Sequence, residues 1–353
     1  MHKSDNRWVY STKREKIKFS SAVHIISLAS VLQLFIYETL PGIIYAAAYN
    51  LTASYYDVFG PDFFNAGTFE EINYIIVNSA VIITSAAASL FAGAFIILCM
   101  RKFPPDPYRI ESKDGVSFRL KLPSNTLVLL AMGICIVQLS VFIYINIDYF
   151  VNSAFGAPPG FNNSGTETYF PVSAAGTALY FIAVVVTPSF TEEFIYRYIM
   201  LNALKRYGNT FAIIVTSVLF GFAHGRVNAF IYATVIGFFS AYIALKTKSI
   251  WFSILLHVTI NAMSFVMHRL SSYPGVEEAL VNIIYFAFLC IASFVSSVYL
   301  IILIVKRREP KLGTPEDYIH ISKKRKVIIF FNAATVLFFI LSIVRSLEDI
   351  ALS

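Results

Sequence analysis

The chain has 353 residues, of which 57% are hydrophobic and only 14% charged, and its mean hydropathy is +0.66. This balance excludes an ordinary soluble protein, in which about a quarter of the residues are charged. A formal net charge of +7 could indicate a nucleic-acid partner, but the distribution of the basic residues argues against one. We therefore expect an integral membrane protein with no nucleic-acid partner.

Apolar segments that could cross a bilayer recur along the whole chain. In chain order they cover 21–48, 73–100, 126–147, 174–204, 210–223, 227–245, 249–267, 280–305 and 327–344. The sequence therefore predicts an all-α fold, a polytopic membrane helical bundle of about nine transmembrane helices. Eight is the alternative count, if 327–344 lies differently. The three cysteines all fall inside apolar segments and indicate buried free thiols rather than a disulfide framework.

The basic residues fall on one side of this predicted arrangement. When successive loops are assigned alternately to two sides, 24 of the 28 Lys and Arg residues share the side of the N-terminus. They lie in 1–20, 101–125, 205–209, 246–248 and 306–326. The positive-inside rule then predicts a multi-pass protein of the cell membrane, with the basic segment 1–20 cytoplasmic. These segments also favour contact with anionic headgroups of the lipid bilayer.

Two segments depart from the pattern of straight apolar helices. The segment 174–204 would be about 46 Å long as one helix, whereas a bilayer core is only about 30 Å thick. Pro188 lies inside it and predicts a bend there. In the loop 101–125, the alternation of apolar and polar residues over 116–122 favours a small hairpin.

Three polar motifs interrupt the apolar segments between 187 and 261. They are Glu192-Glu193-Phe194-Ile195-Tyr196-Arg197, Phe220-Gly221-Phe222-Ala223-His224 and His257-Val258-Thr259-Ile260-Asn261. On a helix, residues four apart share a face. Phe220 and His224 therefore share one face of their helix, and His257 and Asn261 share one face of theirs. By the same spacing Glu193 can pair with Arg197, which leaves Glu192, about 100° round the helix, free to face other helices. Polar groups at bilayer depth are expensive and usually functional, so the motifs are predicted to line one pocket.

In the order EExxxR, FxxxH and HxxxN, these motifs resemble the CPBP family of intramembrane proteases, which includes the Ras-converting CAAX endopeptidases and the bacterial Abi proteins. The resemblance covers residues 170–270, which we interpret as the catalytic core of a single membrane domain, 1–353. One position departs from the family pattern. Many members read Phe-Arg-Gly at the end of the first motif, where this chain has Tyr196-Arg197-Tyr198. A bulky Tyr198 therefore stands where a close helix contact is usual.

The resemblance implies an intramembrane endopeptidase that hydrolyses a peptide bond in a membrane-associated peptide or protein. In that scheme Glu192, assisted by His224, activates a water molecule, while His257 and Asn261 hold the oxyanion. A metal-free site is the first expectation, and a zinc ion held by Glu192, His224 and His257 is the alternative. The substrate could be a prenylated tail, a bacteriocin-like precursor or a signalling propeptide. The residues expected to support the site structurally are Glu193, Arg197 and Phe220.

Counting along the helices from their basic ends favours a shared depth for these groups. At ~1.5 Å per residue, Glu192 and His224 lie about 20 Å from those ends and Asn261 about 18 Å. We therefore expect a common pocket between the inner surface and slightly past mid-membrane, opening inward. Glu38, late in the first span, is expected at the outer interface instead of in the site.

A different class of function fits the same composition. A transporter, or a non-catalytic regulator that binds a membrane protein partner or substrate, would also place polar groups in apolar helices. Inverted repeats and paired broken helices favour a transporter, whereas the sequence has no detectable repeat and one broken helix. A damaged motif would favour a regulator, and all three motifs are intact. The sequence therefore favours the peptidase.

Overall fold

A computed structural model of the protein describes residues 12–59, 66–101, 115–155, 173–225, 227–271, 277–306, 312, 315 and 318–351. Within these ranges the chain folds into helices and contains no strand, which confirms the predicted all-α class. The helices are α1 (Lys13–Phe59), α2 (Ala66–Arg101), α3 (Thr126–Phe155), α4 (Ala174–Tyr207), α5 (Asn209–Ala223), α6 (Val227–Thr247), α7 (Trp251–Ser271), α8 (Glu278–Val305), α9 (Lys323–Phe330) and α10 (Ala333–Ala351). Residues 1–11 of the predicted basic segment lie outside the described ranges.

Eight of the nine predicted apolar segments each lie on one helix, 327–344 crosses the break between α9 and α10, and the protein is a membrane helical bundle. Among the described residues, five helices (α1, α2, α3, α4 and α6) are long and apolar enough to cross a membrane. The pair α9 and α10, bent by 54° at its break, would be a sixth span. The apolar parts of α5, α7 and α8 are shorter, at 10–17 residues. The count of nine spans therefore stays a prediction.

Helix α4 is irregular on both sides of Pro188 rather than bent at that residue alone. Residues Ile182–Val186 and Phe194–Met200 form π-helical turns, and the segment Thr187–Glu193 between them is α-helical. Proline lacks the N–H that an α-helix needs at that position, and the preceding wider turn accommodates the loss. The second π turn follows Glu193 directly, so the acidic pair lies between two local distortions. Such turns are frequent at functional sites.

The half of α4 that follows the acidic pair forms the centre of the core. Five of its apolar side chains have no exposed surface: Ile195, Ile199, Met200, Leu201 and Leu204. Close contact with neighbouring helices needs small residues, and Gly221 on α5 shows this most clearly. A Cβ added there would lie 1.9 Å from Thr234 Oγ1, so α5 and α6 could not approach as they do with a larger residue. Gly221 belongs to the second motif, and this contact fixes the end of α5 that carries His224.

The segment 115–122 packs against α4 and the start of α7 instead of forming a hairpin, so the hairpin prediction was wrong. Ser117 N donates to Lys248 O (3.2 Å), and Trp251 Nε1 donates to Phe118 O (2.8 Å). Of the apolar side chains that suggested a hairpin, Val116 is buried and Phe118 contacts α4, whereas Leu120 and Leu122 are exposed. The Phe118 ring lies 4.6 Å from that of Tyr198, which explains the bulky residue at the end of the first motif. This segment therefore covers the site on the side of the basic loops.

The break between α9 and α10 is held by one amide side chain. Asn332 Oδ1 accepts from the backbone N–H groups of Ala334 (2.9 Å) and Thr335 (3.2 Å), which begin α10. The Thr335 and Ser27 hydroxyls are 2.6 Å apart, so the start of α10 is tied to α1. At the other end of α10, Ser346 Oγ donates to Gly225 O (2.5 Å). Helix α10 is thereby placed against both α1 and the turn after α5.

The orientation in the membrane is a prediction that reporter fusions can test. We expect fusions in the loop 101–125 to report a cytoplasmic position and fusions in 149–173 to report the opposite side, because the basic residues cluster with the former. Paired reporters, one active only inside and one only outside, provide the internal control. An external position for 101–125 would overturn the assigned orientation.

Candidate active site

A fully buried ion pair lies at the centre of the bundle. Arg197 Nε is 3.3 Å from Glu193 Oε2, and both side chains are only 1% exposed. The pairing predicted from the four-residue spacing is therefore present. An ion pair removed from water is stable only when further groups compensate both charges. Each member of this pair has such a second contact.

The second contact of the carboxylate is with the first histidine of the third motif. His257 Nδ1 is 3.2 Å from Glu193 Oε1, so the two carboxylate oxygens serve Arg197 and His257 separately. The other ring nitrogen, His257 Nε2, is 4.0 Å from Glu192 Oε2. Because one nitrogen is held by Glu193, the ring presents the other toward Glu192. The spacing rule could not show that Glu193 orients His257.

The second contact of the guanidinium is with an aromatic ring. Arg197 Cζ lies 4.4 Å from the centroid of the Phe220 ring, a distance that gives a cation–π attraction. The same ring is 4.8 Å from His224 and 5.9 Å from His257, both nearly edge to face. Phe220 thus touches a member of each motif. Its role as structural support of the site stays a prediction.

His224 lies at the end of α5, where the helix turns toward α6. Its Nδ1 is 2.9 Å from Phe220 O, the carbonyl four residues earlier. A carbonyl oxygen can only accept, so Nδ1 carries the hydrogen and a neutral His224 has an unprotonated Nε2. The next residue, Gly225, has φ +63°, a left-handed conformation that glycine adopts without strain. This turn ends α5 and leaves the imidazole half-buried.

Glu192 and His224 line one cavity of about 120 Å³. A volume of roughly 10–15 Å³ is enough to hold one water molecule, so this cavity has space for several. The Glu192 side chain is 21% exposed, in contrast to the buried Glu193 beside it. The structure therefore separates the two glutamates, with one in the core and the other facing the cavity. The remaining lining residues are Ser30, Gln33, Leu34, Tyr37, Ser85, Ser89, Tyr196, Ala223 and Arg345.

Asn261 does not reach the cavity wall and does not contact the glutamates. It lies one helical turn beyond His257 on α7 and is half-buried. Among the described residues it makes no hydrogen bond with Glu192, His224 or His257, and the cavity wall does not include it. The shared helix face predicted for His257 and Asn261 thus places only His257 against the glutamates. The predicted oxyanion role of Asn261 remains a prediction.

Three helices outside the motifs contribute side chains that the sequence analysis did not identify. From α2, Ser85 Oγ is 2.9 Å from Thr191 Oγ1, which fixes that helix beside Glu192. From α1, Gln33 Oε1 accepts from the Tyr196 hydroxyl at 3.1 Å. From α10, Arg345 reaches the cavity rim. These residues are isolated polar positions in long helices, and no spacing pattern marks them.

Arg345 joins α10 to α1 at one end of the cavity. Its Nη1 is 2.6 Å from Glu38 Oε1, and its guanidinium lies 5.7 Å from the Tyr37 ring. A Cβ on Gly225 would come within 2.5 Å of Arg345 Cδ, so the arginine lies directly against the turn that follows His224. Glu38, expected at the outer interface, is therefore one ion pair away from the candidate site.

The position of Arg345 also shows the direction in which the cavity extends. Helix α5 begins next to the basic pair Lys205-Arg206 and ends at Ala223, so Gly225 marks the end of the bundle opposite those basic residues. Arg345 contacts Gly225 at that end, whereas 115–122 covers the basic end. We expected the cavity to open inward, toward the basic loops; the segment 115–122 lies at that end of the bundle, and the direction of opening stays a prediction.

The zinc alternative finds no ready set of ligands. Among the described residues, no three His, Cys, Asp or Glu side chains lie together in a way that could hold a metal ion. The Nδ1 atoms of both histidines are engaged, that of His257 with Glu193 and that of His224 with the Phe220 carbonyl, so a metal could use only their Nε2 atoms. The zinc alternative therefore stays a prediction, and no step below depends on a metal.

Comparison with known proteins identifies the segment that carries this geometry. Residues 174–263, about a quarter of the chain, match the family model described as type II CAAX prenyl endopeptidase Rce1-like. The Bacillus subtilis (strain 168) protein named "Putative membrane peptidase YdiL" is 28% identical over 175 residues, which cover 49% of this chain and 66% of that protein. The chain is similar to the CPBP family in the segment that contains the three motifs. It spans just under two thirds of the length of this curated relative, and no solved structure matches it.

The Rce1-like segment supplies only part of the cavity. It contains Glu192, Tyr196 and His224, whereas Gln33 and Arg345 lie outside 174–263. Helices α1, α2 and α10 therefore complete the cavity wall beside residues of the first two motifs.

Proposed function

We propose that this protein is a CPBP-type intramembrane endopeptidase that hydrolyses a peptide bond in a membrane-associated peptide or protein. The observation that carries the proposal is the cavity shared by Glu192 and His224 inside a bundle of apolar helices. Peptide hydrolysis at bilayer depth needs water, a group that accepts its proton and shelter from lipid. The cavity offers space for the water, and the Glu192 and His224 side chains in its wall can accept the proton.

His224 is suited to assist Glu192 because of the hydrogen bond that it makes. With Nδ1 donating to Phe220 O, neutral His224 presents Nε2 as an acceptor. A water molecule held between this nitrogen and the Glu192 carboxylate has both of its hydrogens accepted. As it adds to the carbonyl carbon, one proton passes to Glu192 and the carbonyl π electrons move onto the oxygen. The proton then goes to the departing amine as the C–N bond breaks.

His257 and Glu193 support this arrangement from the core side. The 3.2 Å contact with Glu193 fixes the His257 ring, whose Nε2 is 4.0 Å from Glu192 Oε2. That separation is longer than a direct hydrogen bond, and one water molecule can bridge such groups. The chain Arg197–Glu193–His257–Glu192 therefore links the buried ion pair to the proposed base. In this series His257, itself held by Glu193, is the group that orients the proposed base Glu192, as is common in active sites.

Hydrolysis by the purified, full-length protein tests the proposal. The protein is reconstituted into phospholipid vesicles and given two pools of internally quenched peptides, one with plain apolar tails and one with prenylated C-terminal cysteines. We expect cleavage of at least one peptide in H₂¹⁸O to place ¹⁸O in the new carboxylate. Glu192→Gln protein, prepared in parallel, measures any contaminating protease. Absence of cleavage in both pools, or equal cleavage by the variant, would reject the proposal.

Metal dependence can be tested with the same substrate. Because the three candidate ligands do not form a metal site among the described residues, we expect cleavage to persist, within roughly twofold, after dialysis against a zinc chelator. Addition of zinc should not increase the rate. A zinc-dependent metallopeptidase treated in parallel shows that the chelator is effective. Loss of cleavage that zinc restores would show that the site rearranges around a metal.

A further inference from the structure

Gln33 lies on the cavity wall, although it belongs to none of the three motifs. It occupies the middle of α1, is only 8% exposed, and shares the cavity with Glu192 and His224. A primary amide buried at bilayer depth needs partners for its oxygen and for both of its N–H groups. The structure supplies a partner for only one side of this amide.

The oxygen of the amide is fixed by Tyr196. The Tyr196 hydroxyl donates to Gln33 Oε1 at 3.1 Å, and the tyrosine is itself 1% exposed. Tyr196 belongs to the EExxxR motif, four residues after Glu192, so the same helix positions both groups. Gln33 Nε2 has no hydrogen-bond partner among the described residues. The amide is therefore held from one side while its donors remain available to the cavity.

The proposed hydrolysis needs such a donor. Addition of water to a carbonyl carbon puts negative charge on the carbonyl oxygen, and donors placed in advance stabilise that charge. The family resemblance assigns the task to His257 and Asn261, but neither side chain is part of the cavity wall. Glu192 and neutral His224 both face the cavity as acceptors. The cavity therefore needs donors from elsewhere, and Gln33 is a rigidly held one.

We propose that the Gln33 amide donates a hydrogen bond through Nε2 to the carbonyl oxygen of the scissile peptide bond, and that this bond strengthens as the oxyanion forms. The inference rests on the proposed endopeptidase function. Gln33 takes part in no bond making or breaking. The substrate carbonyl would then lie between α1 and α4, with its oxygen toward Gln33 and the attacking water toward Glu192. Tyr196 is a positioning residue, because it acts through the Gln33 amide.

Gln33→Met tests this role, because methionine keeps a similar volume and removes both polar atoms. Loss of a single oxyanion donor lowers kcat by roughly 10²–10³-fold, and we expect a loss of this size with KM nearly unchanged. An interaction made mainly in the transition state gives this split. The matched control is Gln138→Met, because Gln138 on α3 also bonds a tyrosine hydroxyl, that of Tyr285, away from the cavity. The control should retain wild-type kcat.

Two further variants keep the test decisive if Gln33→Met does not fold. Gln33→Asn keeps the amide but withdraws it by one methylene, and Tyr196→Phe removes the hydroxyl that orients it. Both should lower kcat, the latter by less, because the donor remains present but less well oriented. Unchanged kcat in the folded Gln33 variants, while Glu192→Gln is inactive, would overturn the Gln33 proposal and leave the peptidase intact. Absence of cleavage by wild-type protein would instead overturn both.

Discussion

The Arg197→Ala variant is expected to lose about 3–5 kcal/mol of unfolding free energy, the cost of leaving one member of a buried ion pair without its partner. Arg197 and Glu193 are both 1% exposed, so water cannot replace the missing guanidinium. The substitution also removes the cation that lies 4.4 Å from the Phe220 ring. Titration of the purified protein with a denaturing detergent, followed by circular dichroism, measures the loss.

A matched arginine and a double variant identify the cause of that loss. Arg119 is exposed, so Arg119→Ala should change the unfolding free energy little. Removing Glu193 together with Arg197 leaves no unpaired carboxylate, so the double variant should be more stable than Arg197→Ala alone. A double variant that is less stable than either single variant would show that packing, rather than charge, dominates at this site.

Glu192→Gln is expected to lower kcat by roughly 10²–10⁴-fold, the usual contribution of a positioned general base. Glutamine has nearly the same shape but cannot take the proton of water. The Glu192 side chain faces the cavity and is 21% exposed, so the variant should fold normally and bind substrate with a similar KM. Steady-state cleavage of the best quenched peptide, together with thermal unfolding, separates the two effects.

The control for this prediction is another glutamate outside the site. Glu277, exposed just before α8, gives the same chemical change in Glu277→Gln and should leave the rate unaltered. A folded Glu192→Gln protein with wild-type kcat would remove Glu192 from the proposed mechanism. The cavity would then be better explained by binding than by hydrolysis.

The features of the site that could be predicted from sequence are those set by helical spacing. Glu193 and Arg197 are four residues apart and do pair, and Phe220 does lie against His224. Spacing also predicts shared faces, but it cannot predict how far a helix is displaced along its axis. For this reason it grouped Asn261 with His257, although only His257 reaches the glutamates.

The features that could not be predicted depend on contacts between distant helices. Gln33 and Arg345 are single polar residues on α1 and α10, and their roles become visible only when both helices meet α4 and α5. The π turns beside Pro188 depend on how α4 is packed, and its proline predicts no more than a disruption. The alternating residues of 116–122 matched a strand pattern, but Val116 is buried and Phe118 contacts Tyr198 on α4, while Leu120 and Leu122 are exposed.

The most direct test of the central claim is whether Glu192 and His224 act on one water molecule. The measurement compares kcat for Glu192→Gln, His224→Ala and the double variant on one cleaved peptide. Residues that act as a unit give strongly non-additive losses, so the double variant should be within roughly twofold of the slower single variant. If the two losses multiply in the double variant, Glu192 and His224 act independently, and the shared water-activating site is contradicted.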